Sequence, residues 1–411
     1  MSKSSDSFAD DVMPEIVEAP VVMRSYKALA WHRPRKQFIR EKQWNHYLIE
    51  KLIKKIDFSG DRQAINMLGL PSEDFLDLLS LQSVCEEHDV KVKYLGFNST
   101  ADGDIEGLYQ KINRERMLEA SSFIHPGSRL VSDRFENITN RRDFATISLN
   151  SFPSFDIVNL DLCGCILEHS TTKAGRVLDA VTELINRQAT ARLEPWLFFV
   201  TSYAFRDDIA LDAFNNLLSS LVLNVESIAS FREKFKTEFQ VEIRQDIPRD
   251  ELPHNTEFIE LFTLAFGKWL AAKLKHASPA SFAMQLPTYM FRHQNFPTPR
   301  LVSVGYLVEP APKRGKQGWL NFGLDEDEDD DDDTRYEKSV VRMISQCKRL
   351  RDLDEIVETD DVLYKQLTER TKELLVGCGY DPAEVELSLP VEYLFRTDGA
   401  AGTQDVAGSA D

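Results

Sequence analysis

The segment Phe155-Asp-Ile-Val-Asn-Leu-Asp161-Leu-Cys-Gly164 decides the fold that we predict for this chain. It is an apolar run that carries two acids and ends sharply at Asp161 and a small-residue turn, and a helical pattern follows over residues 173–188. Apolar runs without alternation are typical of central parallel strands, which are buried on both faces. An acid at the carboxyl end of such a strand points into the crevice where open α/β sheets bind ligands. Asp161 is therefore either a site residue or a cap of the turn.

Strands and helices alternate on both sides of this segment. Strands are predicted at 75–81, 90–97, 129–133, 155–161 and 196–201, and helices at 82–88, 104–121, 173–188 and 207–223. Strands separated by helices imply right-handed crossovers and a parallel sheet. An apolar helix follows at 258–274, and strands at 282–291 and 300–308 predict an antiparallel hairpin. The predicted fold class is α/β: a doubly wound, mostly parallel Rossmann-type sheet that ends in an antiparallel hairpin, with helical N- and C-terminal additions.

The charges of the chain are segregated along its length. The 411 residues carry a formal net charge of −18, yet residues 23–55 contain ten Lys and Arg against two Glu, and residues 325–333 are all acidic. Helical spacing of apolar residues over 33–56 predicts an amphipathic helix, which either packs on the core or docks a partner or nucleic acid. The residues predicted to contact phosphates are Arg33, Arg35, Lys36, Arg40 and Lys42. The acidic run is expected to be a flexible tether, or a nucleic-acid mimic that docks on this helix.

These patterns divide the chain into six predicted segments. They are a disordered N-terminus at 1–22, a basic helical arm at 23–61, a Rossmann core at 62–312, a basic and acidic linker at 313–335, a helical appendage at 336–396 and a disordered tail at 397–411.

Composition narrows the class of protein. The five scattered cysteines argue against a disulfide framework. No stretch approaches the roughly 20 apolar residues of a membrane span, and the polar, acidic first residues are unlike a signal peptide. We therefore expect a soluble, cytoplasmic protein with no membrane association. The histidines lack the spacing of metal sites, so no metal is expected. The sequence also lacks the Gly-x-x-x-x-Gly-Lys-Ser/Thr loop of an ordinary ATPase.

The order of elements over residues 62–310 resembles class I S-adenosylmethionine-dependent methyltransferases. In that family the first strand ends in acid-x-Gly-x-Gly, and the matching place here is Asp77-Leu-Leu-Ser-Leu81, an acid without glycine. The second strand of the family ends in an acid that holds the ribose, where this chain has Asn98, and Asp133 matches an adenine contact after the third strand. The resemblance implies S-adenosylmethionine as the cofactor, bound by Asp77, Asn98 and Asp133.

The turn Asp161-Leu-Cys-Gly164 resembles the acid-Pro-aromatic-Gly turn of tRNA base methyltransferases, with Leu162 and Cys163 in place of the proline and the aromatic. The resemblance implies that Asp161 is the catalytic residue and accepts a hydrogen bond from a target amine. Because the glycines and the stacking aromatic are missing, our first hypothesis is a degenerate, non-catalytic interaction subunit. The alternative is an active methyltransferase that acts on a nucleic acid.

Three segments, 68–71, 155–164 and 195–201, also resemble an uncharacterised bacterial group associated with phage-defence loci. That resemblance implies partner protein subunits and contact with nucleic acid, and it names no reaction.

Overall fold

A computed structural model describes most of the chain. The described residues are 25–29, 32–56, 62, 64–72, 74–98, 121–162, 164–168, 176–293, 296–311 and 331–388. The predictions for the N-terminus at 1–22, for nearly all of the helix at 104–121, for most of the linker at 313–335 and for the tail at 397–411 lie outside these residues.

The described residues form one nine-stranded sheet. Its strands are β1 (Ala64–Gly69), β2 (Lys91–Phe97), β3 (Arg129–Val131), β4 (Ile157–Asp161), β5 (Trp196–Tyr203), β6 (Ser281–Gln285), β7 (Tyr289–Phe291), β8 (Leu301–Pro310) and β9 (Arg351–Asp352). The order is β3-β2-β1-β4-β5-β8-β7-β9, and β6 also pairs with β8. Strands β1 to β5 are parallel, whereas β8 runs antiparallel to β5, β6 and β7. The chain adds β2 and β3 on one side of β1 and then β4 and β5 on the other, so the strand order reverses between β1 and β4 as in doubly wound folds. This confirms a mixed α/β, Rossmann-like fold.

Helices cover both faces of the sheet. An N-terminal helix comprises α1 (Pro34–Phe38) and two π-helical stretches, Ile39–Asn45 and Leu48–Ile53. The others are α2 (Leu76–Leu79), α3 (Gln82–Glu87), α4 (Phe144–Asn150), α5 (Val177–Ala191), α6 (Leu211–Ser227), α7 (Ala229–Glu238), α8 (Asn255–Lys275), α9 (Asp332–Cys347), α10 (Leu353–Thr359), α11 (Asp361–Gly377) and α12 (Pro382–Ser388), with short 3-10 turns at Phe135–Thr139 and Arg249–Glu251.

Two large hydrophobic clusters sandwich the sheet. One contains apolar side chains of α4 to α9. The other contains those of the N-terminal helix, α2, α3, α10 and α11. The predicted N-terminal arm therefore packs on the sheet through Phe38, Trp44, Leu48 and Leu52. The helices after residue 331 divide between the faces, with α9 on one side and α10 and α11 on the other.

The prediction of a strand at 75–81 is wrong. Leu76–Leu79 is a short helix, preceded by Phe75 in the left-handed region with φ 53°. Phe75, Leu78 and Leu81 are buried in one cluster, and this three-residue spacing is helical. The first strand is β1, Ala64–Gly69, which the sequence reading missed.

The predicted strand at 282–291 is two strands. β6 ends at Gln285 and β7 begins at Tyr289, and Pro287 lies between them. Proline has no N–H to donate to a sheet, so it interrupts the pairing with β8. The predictions of β2, β3, β4, β5 and β8, and of helices at α3, α5, α6 and α8, are confirmed with small differences in their ends.

Candidate functional site

The candidate crevice lies at the carboxyl ends of the parallel strands, beside the reversal between β1 and β4. Asp161 is the last residue of β4 and lies in register with Thr201 of β5. Its Oδ1 accepts a hydrogen bond from Lys36 Nζ at 2.5 Å. The side chains are 17% and 9% exposed, respectively. A lysine of the N-terminal helix thus covers the predicted catalytic acid.

The charge of Asp161 is poorly stabilised. Burial raises the pKa of Asp161 above its ordinary value, the Lys36 ammonium opposes this rise, and the Asp77 carboxylate adds to it. Removing a carboxylate from water disfavours its ionised form, and a nearby negative charge acts in the same direction. Lys36 is the ion-pair partner of this acid.

Asp77 lies on α2 and does not end a strand, because the segment predicted as a strand is a helix. Arg40 Nε donates to Asp77 Oδ1 at 2.8 Å, and the Arg40 side chain has no exposed surface. Lys36 and Arg40 are four residues apart and therefore lie on the same side of the N-terminal helix. That helix places two cations against the two acids of the predicted site.

The other two predicted cofactor residues also have partners within the chain. Asn98 Nδ2 donates to the carbonyl oxygen of Pro71 at 2.9 Å, which ties the end of β2 to the loop after β1. Asp133 Oδ1 accepts from the backbone N–H of Arg134 at 2.7 Å and from Asn137 Nδ2 at 2.5 Å, so it caps the turn that follows. No described contact joins Asn98 or Asp133 to Asp161.

Two glycines at the ends of β1 and β2 make room for a side chain of the protein. Gly69 and Gly96 lie in register. A Cβ on Gly69 would lie 2.7 Å from the hydroxyl oxygen of Tyr94, and one on Gly96 would lie 2.6 Å from the Tyr94 ring. Sequence reasoning missed both Gly69 and Tyr94. The sequence signal for the end of this strand was Leu68-Gly-Leu-Pro71, an apolar stretch that contains a glycine and ends in a proline.

A small cavity lies between the N-terminal helix and the sheet. Trp44, Asp77 and Asn159 are among its lining residues, and it has room for at most a single water molecule. The indole Nε1 of Trp44 and Oδ1 of Asn159 are buried without a hydrogen-bond partner in the described part of the chain. Sites for cofactors and drug-sized ligands measure about 300–1,000 Å³, far more than this cavity.

The basic residues predicted to bind nucleic acid lie in different environments. Lys36 and Arg40 are buried against Asp161 and Asp77, and Arg35 Nε lies 2.5 Å from Asp354 Oδ1. Arg33 is partly exposed and Lys42 is exposed. Arg35, Lys36 and Arg40 thus contact carboxylates of their own chain. The nucleic-acid contact stays a prediction.

The described residues contain neither a metal-type cluster nor a helix suited to cross a membrane. No group of three or more His, Cys, Asp or Glu side chains there is placed to hold a metal ion. None of the helices described is long and apolar enough to cross a bilayer.

The fold and the crevice define a Rossmann-like α/β protein with an acid at the end of its fourth strand. The chain belongs to the PP_RS20740-like family, whose model matches residues 26–387. No curated protein matches it. Among solved structures it is similar to a loganic acid methyltransferase with SAH, at 10% identity over 70% of this chain and 99% of that chain, with a TM-score of 0.23. A likeness this slight carries no argument about function.

Proposed function

We propose that this protein is a non-catalytic, methyltransferase-like binding subunit whose ligand crevice is closed by its own N-terminal helix. The observation that carries the proposal is the pair of contacts Lys36–Asp161 and Arg40–Asp77. Both acids accept from cations of the same helix. A ligand that needed these carboxylates would have to displace two buried side chains, and an unpaired buried charge is costly.

The residues present do not fit S-adenosylmethionine. Asn98 offers one carbonyl oxygen where ribose capture needs two acceptors, and its amide already donates to Pro71. The space beside Gly69 and Gly96, which a close-lying ligand would need, holds Tyr94.

The partners in this proposal are protein subunits of a bacterial complex, with phage defence as the setting and nucleic acid as a further ligand. What supports this part is the resemblance of the sequence segments and the exposed Lys42. Co-purification from the native host followed by mass spectrometry tests it, and a protein recovered alone at native expression would contradict it.

The proposal is tested by calorimetric titration of the full chain with S-adenosylmethionine and S-adenosylhomocysteine. We expect no saturable heat, because the candidate ligand groups are engaged within the chain. Lys42→Ala is the matched control, since Lys42 is an exposed cation of the same helix. Micromolar binding by the unmodified chain, lost in Asn98→Ala but kept in Lys42→Ala, would overturn the proposal.

An active methyltransferase is the second candidate. It is favoured by one observation: Asp161 ends a central strand and keeps 17% of its side chain exposed. This function would require Lys36 to leave Asp161. Transfer of labelled methyl groups to RNA or DNA, present in the unmodified chain or in Lys36→Met and lost on Asp161→Ala, would establish it, and its absence from both would exclude it.

A further inference from the structure

The ammonium group of Lys36 occupies a pocket between a carboxylate and an aromatic ring. Its Nζ lies 2.5 Å from Asp161 Oδ1 at the end of β4 and 5.1 Å from the centroid of the Trp44 ring. A carboxylate oxygen accepts a charged hydrogen bond from an ammonium group, and the face of an indole ring attracts a cation within about 6 Å. Both walls of the pocket therefore favour a positively charged nitrogen.

The fold holds both walls of this pocket in place. Asp161 is paired within the sheet, in register with Thr201. Trp44 is 5% exposed, and its ring lies 6.5 Å from that of Phe199, a buried residue of β5. The sheet and the core packing thus position both walls independently of the Lys36 side chain.

Lys36 is the only side chain that pairs with Asp161 in the described part of the protein. The neighbouring cation Arg40 already donates to Asp77, at 2.8 Å. Without the Lys36 ammonium, Asp161 would be a largely buried carboxylate with no ion pair, which is costly. Another ammonium group at the same place would restore the pairing.

The Lys36 side chain can be exchanged for a ligand while the N-terminal helix stays packed. The Lys36 and Asp161 side chains keep 9% and 17% of their surface exposed, so the pocket opens to solvent. Lysine has a flexible four-carbon stem that can turn outwards, whereas Phe38 and Trp44 hold the helix backbone on the sheet. The room that this movement frees is that of one alkylammonium chain, which suits a small amine and not a polypeptide.

We propose that this pocket is a binding site for a small primary alkylammonium ion and that Lys36 is its intramolecular occupant. The inference rests on the proposed function, since it names a ligand class for the crevice that the N-terminal helix closes. A neutral aromatic amine, such as that of a nucleobase, would gain neither the ion pair nor the cation–π attraction. Lys36 competes with a free amine at an effective concentration on the order of millimolar or above.

The test is thermal unfolding of the Lys36→Ala variant with increasing propylammonium chloride at constant ionic strength. The substitution deletes the atoms of a propylammonium group, so this ion replaces what is missing. We expect a saturable rise in the unfolding temperature, with an apparent affinity at least about tenfold higher than in the unmodified chain, where Lys36 competes. Propanol has the same chain length without the charge and should give no saturable rise.

Two further variants provide the controls. Lys42→Ala removes an exposed lysine of the same helix and should respond no more than the unmodified chain. Lys36→Ala combined with Asp161→Asn should lose the response, because the charged wall is gone. If Lys36→Ala does not fold, Lys36→Met is used, which fills the stem and leaves room for an ammonium ion alone. Ammonium chloride should then raise its unfolding temperature more than sodium chloride does.

The site is overturned if propanol acts as well as propylammonium, if Lys42→Ala responds like Lys36→Ala, or if the response survives Asp161→Asn. It is also overturned if neither Lys36→Ala nor Lys36→Met responds to its ammonium ion. The proposed function fails by a different result, the binding of S-adenosylmethionine, which this titration does not involve.

Discussion

Lys268 is a lysine buried inside the helical layer. It lies on α8 with no exposed surface, and its Nζ donates to the hydroxyl of Tyr336 at 3.2 Å and lies 5.1 Å from the ring of Phe231. Burial lowers the pKa of Lys268 well below its ordinary value, and the charge of Lys275 lowers it further. Removal from water disfavours the charged form of a lysine amine.

This amine predicts a pH-dependent stability. The folded state releases the proton at a lower pH than the unfolded chain, so the contribution is favourable above the ordinary lysine pKa of about 10.4 and is lost as pH falls through the lowered pKa. Replacing Lys268 by Met should flatten this dependence and raise the free energy of unfolding near neutral pH by about 1 kcal/mol or more. Urea unfolding at several pH values measures both effects. Lys273→Met, at an exposed position of the same helix, should change neither. An unaltered pH slope in Lys268→Met would refute the assignment.

At the scale of elements, the N-terminal helix covers the candidate crevice. Its sequence shows the amphipathic period from which we predicted either a packed helix or a docking face. The structure buries Phe38, Trp44, Leu48 and Leu52 and turns Arg40 inwards as well. A local pattern cannot show this, because the partner of Arg40 is an acid on a helix far along the chain.

Removal of Arg40 should therefore be strongly destabilising. Arg40→Ala leaves Asp77 without its partner in a partly buried position, and we expect a loss of about 3–5 kcal/mol in the free energy of unfolding. Lys42→Ala, at an exposed position of the same helix, should change it by about 0.5 kcal/mol or less. Chemical denaturation of both variants provides the comparison. Equal stabilities would mean that Arg40 contributes no more than a surface charge.

At the scale of the whole molecule, the helices after residue 331 complete both cores. Val340, Met343 and Ile344 of α9 are buried on one face of the sheet, and Leu353 and Leu367 of α10 and α11 on the other. Each such side chain stabilises the fold by about 1.5–3 kcal/mol, and the net stability of a domain is about 5–15 kcal/mol. These helices are thus integral to the fold.

A chain that ends at residue 311 should consequently lose cooperative unfolding, because both clusters would be opened at once. Thermal unfolding followed by near-ultraviolet circular dichroism measures this. A chain that ends at residue 388 keeps every described core residue and should unfold at the same temperature as the full chain. A shortened chain ending at 311 that still unfolds in one sharp transition would show that the appendage is an independent unit.

The sequence by itself determined the alternation of strands and helices, the antiparallel end of the sheet and the place of Asp161 at the end of β4. These features follow from hydrophobic periods within segments of about 5–15 residues, which a local pattern expresses directly. The prediction from sequence failed at 75–81, because a short apolar run fits a helix as well as a strand. Only the tertiary structure determined which residues contact the site residues. Lys36 reaches Asp161 across 125 positions of the chain, and Tyr94 fills the space beside two glycines. The physical reason is that the pairing of charges and the filling of space depend on residues distant in sequence, which only the packed chain brings together.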